Sequence, residues 1–402
     1  MRFSARCSFV FTMVLSLVGQ ALLAEPVRIT LLDGSISTVE LSAIDETGHL
    51  VGEGLPKNVQ INDLRSIERQ DAAIRTSPVP VIVELVGNAR VRASGVKVAN
   101  DVCEIAWSLG QAVKIPLDLV QGIRFDPAGK DASFEHAIAN QGDDDLLFLK
   151  GENGVESIPG LIEELTADVV VFDHDGETVK FKREKLFGIV LASLGDQPLK
   201  GKNVTVELRD GSSLHATSVT YGDNVLKVRF SKKLQVQIPW TSVVGLRVRS
   251  NRLAFASDLK PVRVEQQSIV TESLPWQRDL SVGKRTLKLS YNEGRDTREF
   301  AKGLGTHSRC LLSFKIDSAY NLFAATIGID AETQGRGDCV FVVLGDGKEL
   351  YRQRVSGHDE PRDVQVDVAG IDQVTLLVEP GVELDLADHA DWCDARFIRL
   401  KE

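Results

Sequence analysis

The sequence predicts a mainly β protein in two parts, four small β repeats followed by a C-terminal β-sandwich. Three observations support this prediction. Residues 27–248 repeat one strand-turn pattern four times, the last third holds short alternating apolar runs between Gly, Asp and Asn turns, and neither region shows a long helical pattern. Two stacked antiparallel sheets bury one face each, and the last third is long enough to build them.

The N-terminus has the pattern of a secretory signal peptide. Arg2 and Arg6 precede an apolar run over 9–18, and small residues follow as far as Ala24. We predict cleavage after Ala24, with Ala21 as the alternative site and a retained N-terminal anchor as the alternative fate. No other apolar stretch approaches the roughly 20 residues that cross a bilayer. We therefore expect an exported chain, periplasmic, at the cell surface or extracellular, without membrane insertion after signal cleavage.

The charge narrows the classes of partner. The formal net charge is −10, and removing the leader takes away two arginines and no acidic residue, which leaves −12. Nucleic-acid binding depends on neutralising phosphates with basic residues, and attraction to anionic membranes has the same requirement. We therefore expect neither nucleic acid nor a membrane surface as a partner, whereas neutral glycans are compatible with this charge.

Each of the four repeats opens with an alternating strand and closes with two apolar positions three residues apart. A strand, one tight turn and a further strand fit that spacing. Units of about 45 residues with such strands and DG-type turns are similar to SH3-like or Sm-like barrels. A unit of this size buries little apolar surface alone, so we expect the repeats to pack in pairs. The closing positions are Leu64 and Ile67, Val120 and Ile123, Leu186 and Ile189, and Val243 and Leu246.

Polar stretches set the boundaries between these parts. Within one of them, residues 132–141 predict a short helix that ends before Gly142. Trp107 and Trp240 lie in or beside apolar runs, so we expect both in the core. Aromatic residues are sparse, and we interpret the repeats as a structural or protein-contact scaffold. The predicted divisions are 1–24 (signal peptide), 25–126 (repeats one and two), 127–143 (linker with the helix), 144–249 (repeats three and four), 250–261 (linker) and 262–402 (C-terminal module).

The C-terminal module carries five motifs in order. They are GLGTHS at 303–308, IGID at 327–330, FVVLGDGKEL at 341–350, VDVAGIDQVTLLVE at 366–379 and DHADWCDARF at 388–397. Together they resemble the NPCBM family of carbohydrate-binding modules over residues 262–402. The resemblance implies a galactose-binding-like jelly-roll β-sandwich, similar to the appendages of family 98 glycoside hydrolases and other secreted glycosidases. Cys393 departs from the family, which usually has a small residue such as Ala at this position.

The first and last motifs place polar residues beside Gly or Trp, and we expect the two segments to meet across the sandwich. This mixture is more typical of a binding surface or a tight corner than of a plain core strand. His307 is a candidate hydrogen-bond donor to a ligand hydroxyl, and Thr306 and Asp391 are further ligand candidates. The alternative is a structural His307 that ties its strand to the 388–397 segment.

Trp392 and Arg396 complete the predicted ligand site. An aromatic face suits the C–H-lined side of a pyranose ring, so Trp392 is a candidate sugar platform; the alternative places Trp392 in the core of the sandwich. For Arg396 the alternative to ligand binding is an internal ion pair with Asp394.

The late acidic residues indicate one candidate cofactor, a structural calcium ion. Calcium takes six to eight oxygen ligands, and the galactose-binding-like sandwiches that the resemblance implies often carry one. Asp385 and Asp388 are the candidate ligands. The alternative is a solvated acidic loop, and no other cofactor is expected.

Four cysteines follow the predicted leader: Cys103, Cys310, Cys339 and Cys393. In an oxidising compartment one bridge among the last three is compatible with the sequence. The alternative is that most of them are small buried hydrophobes. Their spacing does not match a zinc site.

These observations predict an exported, non-catalytic carbohydrate-binding protein whose module binds a glycan or polysaccharide while the repeats act as a scaffold. The chain has no nucleophile elbow, P-loop, HExxH motif or dinucleotide fingerprint, and no segment is left for a large catalytic barrel. The first alternative is an envelope scaffold or adhesion protein that contacts other envelope proteins. The second is a glycoside hydrolase or its accessory subunit.

Overall fold

The computed structural model describes residues 26–76, 78–86, 89–109, 112–152, 154–192, 203–230, 235–267, 274–382 and 384–400. The predicted signal peptide lies outside the described residues. Strands make up most of this part of the chain, as the sequence predicts.

Four β units fill residues 26–249, and in each the first strand pairs with both the second and the last. A one-turn 3-10 helix precedes every last strand, at Ile61–Asp63, Leu117–Leu119, Arg183–Lys185 and Trp240–Ser242. Unit 1 has β1 Pro26–Leu31, β2 Ile36–Ile44, β3 Leu50–Glu53 and β4 Leu64–Arg69; unit 2 has β5 Val81–Leu85, β6 Ala89–Ala99, β7 Val102–Trp107, β8 Ala112–Pro116 and β9 Val120–Arg124. Unit 3 has β10 Asp145–Gly151, β11 Gly154–Leu165, β12 Val169–His174, β13 Glu177–Lys182 and β14 Leu186–Val190; unit 4 has β15 Asn203–Leu208, β16 Ser213–Ala216, β17 Ser218–Gly222, β18 Val225–Arg229, β19 Gln235–Pro239 and β20 Val243–Arg249.

A β-bulge explains the three-residue spacing that closes each repeat. In unit 1, Ile29 lies opposite Ile67 and Leu31 lies opposite Leu64, so a two-residue step on β1 faces a three-residue step on β4. The extra residue on the last strand is the definition of a bulge. The same register shift occurs in the other three units, so the spacing keeps both apolar side chains buried across one bulge.

The units pack in pairs, as predicted, because their last strands join. β4 pairs with β20, with Ile67 opposite Leu246, and β9 pairs with β14, with Ile123 opposite Ile189. We call these contacts the 1–4 seam and the 2–3 seam. Further single pairings between units complete one 20-stranded sheet over one apolar core. Trp107 and Trp240 are buried in this core, as predicted, whereas the likeness of single units to SH3-like or Sm-like barrels stays a prediction.

Helix α1, Ala132–Ala139, lies in the segment where the sequence predicts a helix. The Asp131 side chain caps it by accepting hydrogen bonds from the backbone N–H groups of Ser133 and Phe134. Phe134 is fully buried against the rings of Phe148 and Phe187, at centroid distances of 5.0 and 5.2 Å. The segment is therefore packed onto the 2–3 seam rather than being a free linker. No helix in the described ranges is long and apolar enough to span a membrane.

Residues 253–398 form the β-sandwich. One sheet has the order β23-β26-β33-β28-β31 with β21 also on β33, the other has the order β22-β27-β32-β29-β30, and β24 pairs with β25 as a separate hairpin. The strands are β21 Leu253–Phe255, β22 Arg263–Gln266, β23 Gln277–Arg278, β24 Leu287–Tyr291, β25 Asp296–Phe300, β26 Gly303–His307, β27 Cys310–Lys315, β28 Leu322–Ile329, β29 Asp338–Gly345, β30 Lys348–Ser356, β31 Arg362–Asp367, β32 Gln373–Pro380 and β33 His389–Ile398, with 3-10 helices at Ala256–Asp258 and Ala331–Thr333.

The structure corrects the predicted linker at 250–261. Leu253–Phe255 forms β21 and pairs with the end of β33, and Ala256 is fully buried in the sandwich core. The apolar residues in this stretch are too few to register as a strand pattern, but three of them suffice for an edge strand. The four described cysteines are buried and unpaired, which agrees with the interpretation that they are small buried hydrophobes.

The sandwich contacts unit 1 through charged side chains. Arg65 forms a two-pronged ion pair with Asp394, and Arg252 forms an ion pair with Asp63. Asp394 lies in a β-bulge on β33 with a φ angle of +55°, and bulges of this kind redirect a side chain. The two parts of the chain are therefore held together by specific pairs and not by a linker alone.

Candidate functional site

The first and last motifs meet, as the sequence predicts, because β26 pairs with β33. His307 lies opposite His389 and Gly305 lies opposite Asp391. A Cβ atom at Gly305 would come within 2.3 Å of the Leu280 carbonyl oxygen, so the glycine permits the close backbone approach at this point.

Trp392 is a core residue and not a sugar platform, which corrects its assignment as a ligand residue. Its side chain has 0% exposure, and its ring packs 5.1 Å from the Phe341 centroid and 6.3 Å from the Phe323 centroid. β33 lies between β26 and β28, inside its sheet. The indole therefore points into the apolar space between the two sheets and offers no face to a ligand.

Thr306 and His307 are buried as well. The Thr306 hydroxyl donates a hydrogen bond to the Ala390 carbonyl at 2.8 Å, so it ties β26 to β33. His307 Nδ1 has no hydrogen-bond partner among the described residues. Burial lowers the pKa of His307, although the Asp388 carboxyl partly opposes this shift. Thr306 therefore has a structural role, whereas His307 is buried beside His389 on the other face of the sheet, where its neutral form is favoured.

Asp391 is a fully buried carboxyl group with no hydrogen-bond partner for either oxygen among the described residues. Burial raises the pKa of Asp391 well above its ordinary value, and the neighbouring Asp330 carboxyl adds to this shift. The protonated acid is therefore favoured. The group lies on the face of the sheet opposite to Trp392, where the segment that leads into the β24-β25 hairpin, and the hairpin itself, cover it.

Arg396 contacts unit 1 and is not available to a ligand. Its Nε donates to the Leu32 carbonyl at 3.1 Å, another nitrogen donates to the Asp33 carbonyl, and Nη1 lies 3.2 Å from Asp394 Oδ2. The predicted ion pair with Asp394 is thus present, and Arg65 shares it. Burial lowers the pKa of Arg396 to about 10.

The loop before β33 buries its acidic residues and exposes its apolar ones, which is the reverse of a solvated acidic loop. Asp385 and Asp388 are fully buried, whereas Val382, Leu384 and Leu386 are exposed. The backbone supports this reversal, since Leu384 has a φ angle of +62°, a conformation that is unusual for a bulky residue.

The calcium prediction rests on Asp385 and Asp388. One oxygen of Asp388 accepts from the Asp338 backbone N–H at 2.9 Å, and the other has no partner among the described residues. Across the described ranges, no group of three or more His, Cys, Asp or Glu side chains is placed to hold a metal ion. Calcium also takes backbone carbonyl and water oxygens as ligands, so the calcium site at Asp385 and Asp388 stays a prediction.

Three residues that the sequence interpretation missed form a polar rim at this end of the sandwich: Arg285, Glu332 and His389. His389 Nδ1 lies 2.7 Å from Glu332 Oε1, and Arg285 Nε lies 3.9 Å from Glu332 Oε2. The His389 side chain is 22% exposed and that of Arg285 is 76% exposed. His389 stands inside a recognised motif, but its contact across 57 residues leaves no local pattern in the sequence.

Glu332 is fixed within this polar rim by the backbone around it. The Gly283 N–H donates to Glu332 Oε1 at 3.3 Å. Beneath it, Asp330 accepts from the backbone N–H groups of Lys288 and Glu332 at 3.0 and 2.8 Å. The polar rim therefore presents an imidazole and a guanidinium at a surface, next to a held carboxylate that is 9% exposed, and this arrangement suits hydrogen bonding to hydroxyl groups.

Comparison with known proteins agrees with the resemblance at the C-terminal end. Residues 252–398 match the NPCBM/NEW2 domain family. A protein of Renibacterium salmoninarum, named as an endo-alpha-N-acetylgalactosaminidase, is 33% identical over 100 residues, which are 25% of this chain and 7% of that protein. The chain thus spans a small fraction of the length of this curated relative.

Two solved structures that are similar to this chain contain CBM51 modules. The CBM51 module of Clostridium perfringens GH95, in complex with methyl-galactose, is 22% identical, with 36% of this chain and 99% of that chain covered at a TM-score of 0.33. Tandem CBM51 modules of a Streptococcus pneumoniae family 98 glycoside hydrolase are 14% identical, with 80% and 88% covered at a TM-score of 0.33. Likeness at this level assigns no function. The family match, together with the motifs and the sandwich, identifies residues 252–398 as an NPCBM/NEW2 domain.

Proposed function

We propose that this protein is an exported, non-catalytic carbohydrate-binding protein whose C-terminal domain binds a glycan or polysaccharide. The observation that carries the proposal is the match of residues 252–398 to a carbohydrate-binding module family. The leader pattern at 1–24 supports export. The four units act as the scaffold on which the domain is mounted.

The polar rim is the part of the domain that we assign to the glycan. Sugar hydroxyl groups donate and accept hydrogen bonds, and the polar rim offers both kinds of partner, with Glu332 as acceptor and Arg285 as donor. His389 lies between the buried cluster and the solvent. Since Trp392 and Asp391 are enclosed, recognition depends on these three side chains and not on an aromatic platform.

The buried acids argue against hydrolysis at this end of the domain. A glycosidase holds two carboxyl groups about 5–10 Å apart on either side of a glycosidic bond. Asp391 and Asp330 are both buried, so no bond of a polysaccharide can pass between them. The name of the Renibacterium salmoninarum relative applies to a much longer protein.

Glycan binding is tested with the full chain lacking residues 1–24 on a glycan array, followed by titration calorimetry with the best glycan. We expect His389→Ala and Glu332→Gln to lower affinity about tenfold or more, which corresponds to about 1.4 kcal/mol. Arg295→Ala, in the turn of the β24-β25 hairpin and paired with Glu293, is the control and should bind as the parent does. Retention of no glycan, or equal losses in the control, would refute the proposal, and release of free sugar during incubation would refute its non-catalytic part.

A further inference from the structure

A cavity of about 490 Å³ opens at the 2–3 seam and shares no residue with the polar rim. Its size falls within the range of about 300–1,000 Å³ that is typical of small-molecule sites, which often lie where two structural units meet. The apolar part of the wall includes Phe125 and Pro80 from unit 2 and Leu186 from unit 3. The charged part consists of Lys150, Asp168, Lys182, Arg183 and Glu184.

Arg183 is the centre of the charged wall. Its guanidinium lies 4.9 Å from the centroid of the Phe125 ring, and its Nη1 donates to the Ala167 carbonyl at 3.2 Å. Among the described residues, no carboxylate forms an ion pair with this guanidinium within 4.0 Å, although Asp168, which also lines the cavity, attracts it and partly opposes the lowering of the Arg183 pKa by burial. A guanidinium binds a carboxylate best through two parallel hydrogen bonds, and this one has room for such a partner.

The two lysines are only loosely paired. Lys150 Nζ lies 3.9 Å from Asp126 Oδ2, and Lys182 Nζ lies 3.9 Å from Glu184 Oε1. The lining residues carry three positive and two negative charges, and Asp126 beside Lys150 adds a third negative charge, so this region is neutral overall. A neutral wall with one guanidinium outside any ion pair suits a ligand with a single carboxylate better than a doubly charged phosphate.

The remaining features of the wall select a sugar ring. The Phe125 and Pro80 side chains give an apolar surface for the C–H face of a pyranose, and Asp168 and Glu184 supply acceptors for hydroxyl donors. We infer that the cavity at the 2–3 seam binds a hexuronic acid unit of an acidic oligosaccharide, with the uronate carboxylate on Arg183. This site is independent of the polar rim and of the glycan that binds there.

The test is titration of the full chain lacking residues 1–24 with trigalacturonate, with the uncharged trisaccharide of the same linkage as the comparator. We expect saturable binding of the acidic trisaccharide, at least tenfold weaker in Arg183→Gln. Lys185→Gln is the matched control, because Lys185 lies in the same 3-10 helix and is exposed but does not line the cavity. Phe125→Leu serves as the second variant if Arg183→Gln fails to fold, and it should also weaken binding.

Four results would overturn the inference: no saturable binding of trigalacturonate, equal binding of the neutral trisaccharide, equal losses in Arg183→Gln and Lys185→Gln, or displacement of the sugar by acetate or phosphate at the same concentration as by galacturonate. His389→Ala should leave trigalacturonate binding unchanged. This variant separates failure of the seam site from failure of the polar rim.

Discussion

The two seams between the β units have the same backbone and opposite side-chain arrangements. At the 1–4 seam the cation is Arg69, two residues after Ile67, and the aromatic residue is Trp240, three residues before Val243. Their separation is 5.9 Å from the guanidinium carbon to the ring centroid.

At the 2–3 seam the aromatic residue, Phe125, is two residues after Ile123, and the cation, Arg183, is three residues before Leu186. The same two positions thus carry a cation and an aromatic ring in exchanged order, now 4.9 Å apart. Both seams use this contact to join a last strand to the 3-10 helix of the partner unit.

The exchange decides whether the seam is filled or open. Arg69 is 8% exposed and donates to the carbonyl groups of Trp240, Thr241 and Val243 at 3.0, 3.2 and 3.0 Å. A cation placed on the strand reaches across the seam and donates to carbonyl groups in and just after the 3-10 helix. A cation placed on the 3-10 helix, as at Arg183, stays at the rim and leaves the cavity of about 490 Å³. One scaffold therefore provides a structural seam and a binding seam.

The largest expected effect concerns the helix that covers only the 2–3 seam. Phe134→Ala removes a fully buried ring that contacts Phe148 and Phe187 and lies 4.8 Å from the Arg124 guanidinium. We expect a loss of about 3–5 kcal/mol in the free energy of unfolding, measured by urea denaturation of the full chain. His136→Ala, on the exposed face of the same helix, is the control. A loss below about 1 kcal/mol for Phe134→Ala would show that the helix is not part of this core.

The next largest effect is a difference in unfolding free energy between variants of the two seam cations, Arg69 and Arg183. Arg69→Met leaves three buried carbonyl groups without this donor, and we expect a loss of about 2–3 kcal/mol in the free energy of unfolding. Arg183→Met should cost less than about 1 kcal/mol, because Arg183 donates one hydrogen bond at a partly exposed site. Thermal denaturation of both variants checks this order. Equal losses would mean that the two seams do not differ in the way their contacts indicate.

A smaller difference is expected at the glycines of the last strands. A Cβ atom at Gly188 would lie 2.5 Å from the Phe134 ring and 2.8 Å from the Ile123 carbonyl, whereas at Gly245 only the Ile67 carbonyl, at 2.9 Å, is so close. We expect Gly188→Ala to cost about 2 kcal/mol and Gly245→Ala about 1 kcal/mol, measured by urea denaturation. Unit 1 has Ser66 at the equivalent position, so a Cβ atom is compatible with this fold. A larger loss for Gly245→Ala would contradict the comparison.

The smallest expected effect is on the pH dependence of stability, and it concerns the buried Asp391 carboxyl in the sandwich. The pKa of Asp391 is raised in the folded protein, so the folded chain keeps a proton that the unfolded chain releases above about pH 3.8. Stability from this proton is present at low pH and decreases as the pH rises through the folded pKa. The melting temperature of Asp391→Asn minus that of the parent should therefore increase from below pH 3.8 to neutral pH. The same difference for the exposed Asp372→Asn should not change. A constant difference across this range would refute the raised pKa.

Much of the fold could be predicted from local patterns. The bulge leaves a spacing signal at Leu64 and Ile67 and at the three equivalent pairs, and the glycines of GLGTHS mark the close approach of β26 to its neighbours. Which repeats pair could not be predicted, because units 1 and 4 are distant in sequence and their seam depends on long-range contacts such as Ile67 with Leu246.

The candidate site was predicted less well than the fold. The motif around Trp392 was located correctly, but its burial depends on the place of β33 inside a sheet, which no single motif reveals. The inward-facing Asp385 and Asp388 reverse the usual preference of carboxylates for solvent, and the contact of Glu332 with His389 spans 57 residues. Residue type alone gives no indication of either arrangement.

The ion pair of Arg65 with Asp394, together with the hydrogen bonds from Arg396 to the Leu32 and Asp33 carbonyls, has a mechanical consequence. Because these pairs join the sandwich directly to unit 1, the domain does not swivel on a tether. A polysaccharide strand gripped by the domain would therefore impose one orientation on the four units, and their open seam would face a set direction relative to the polymer.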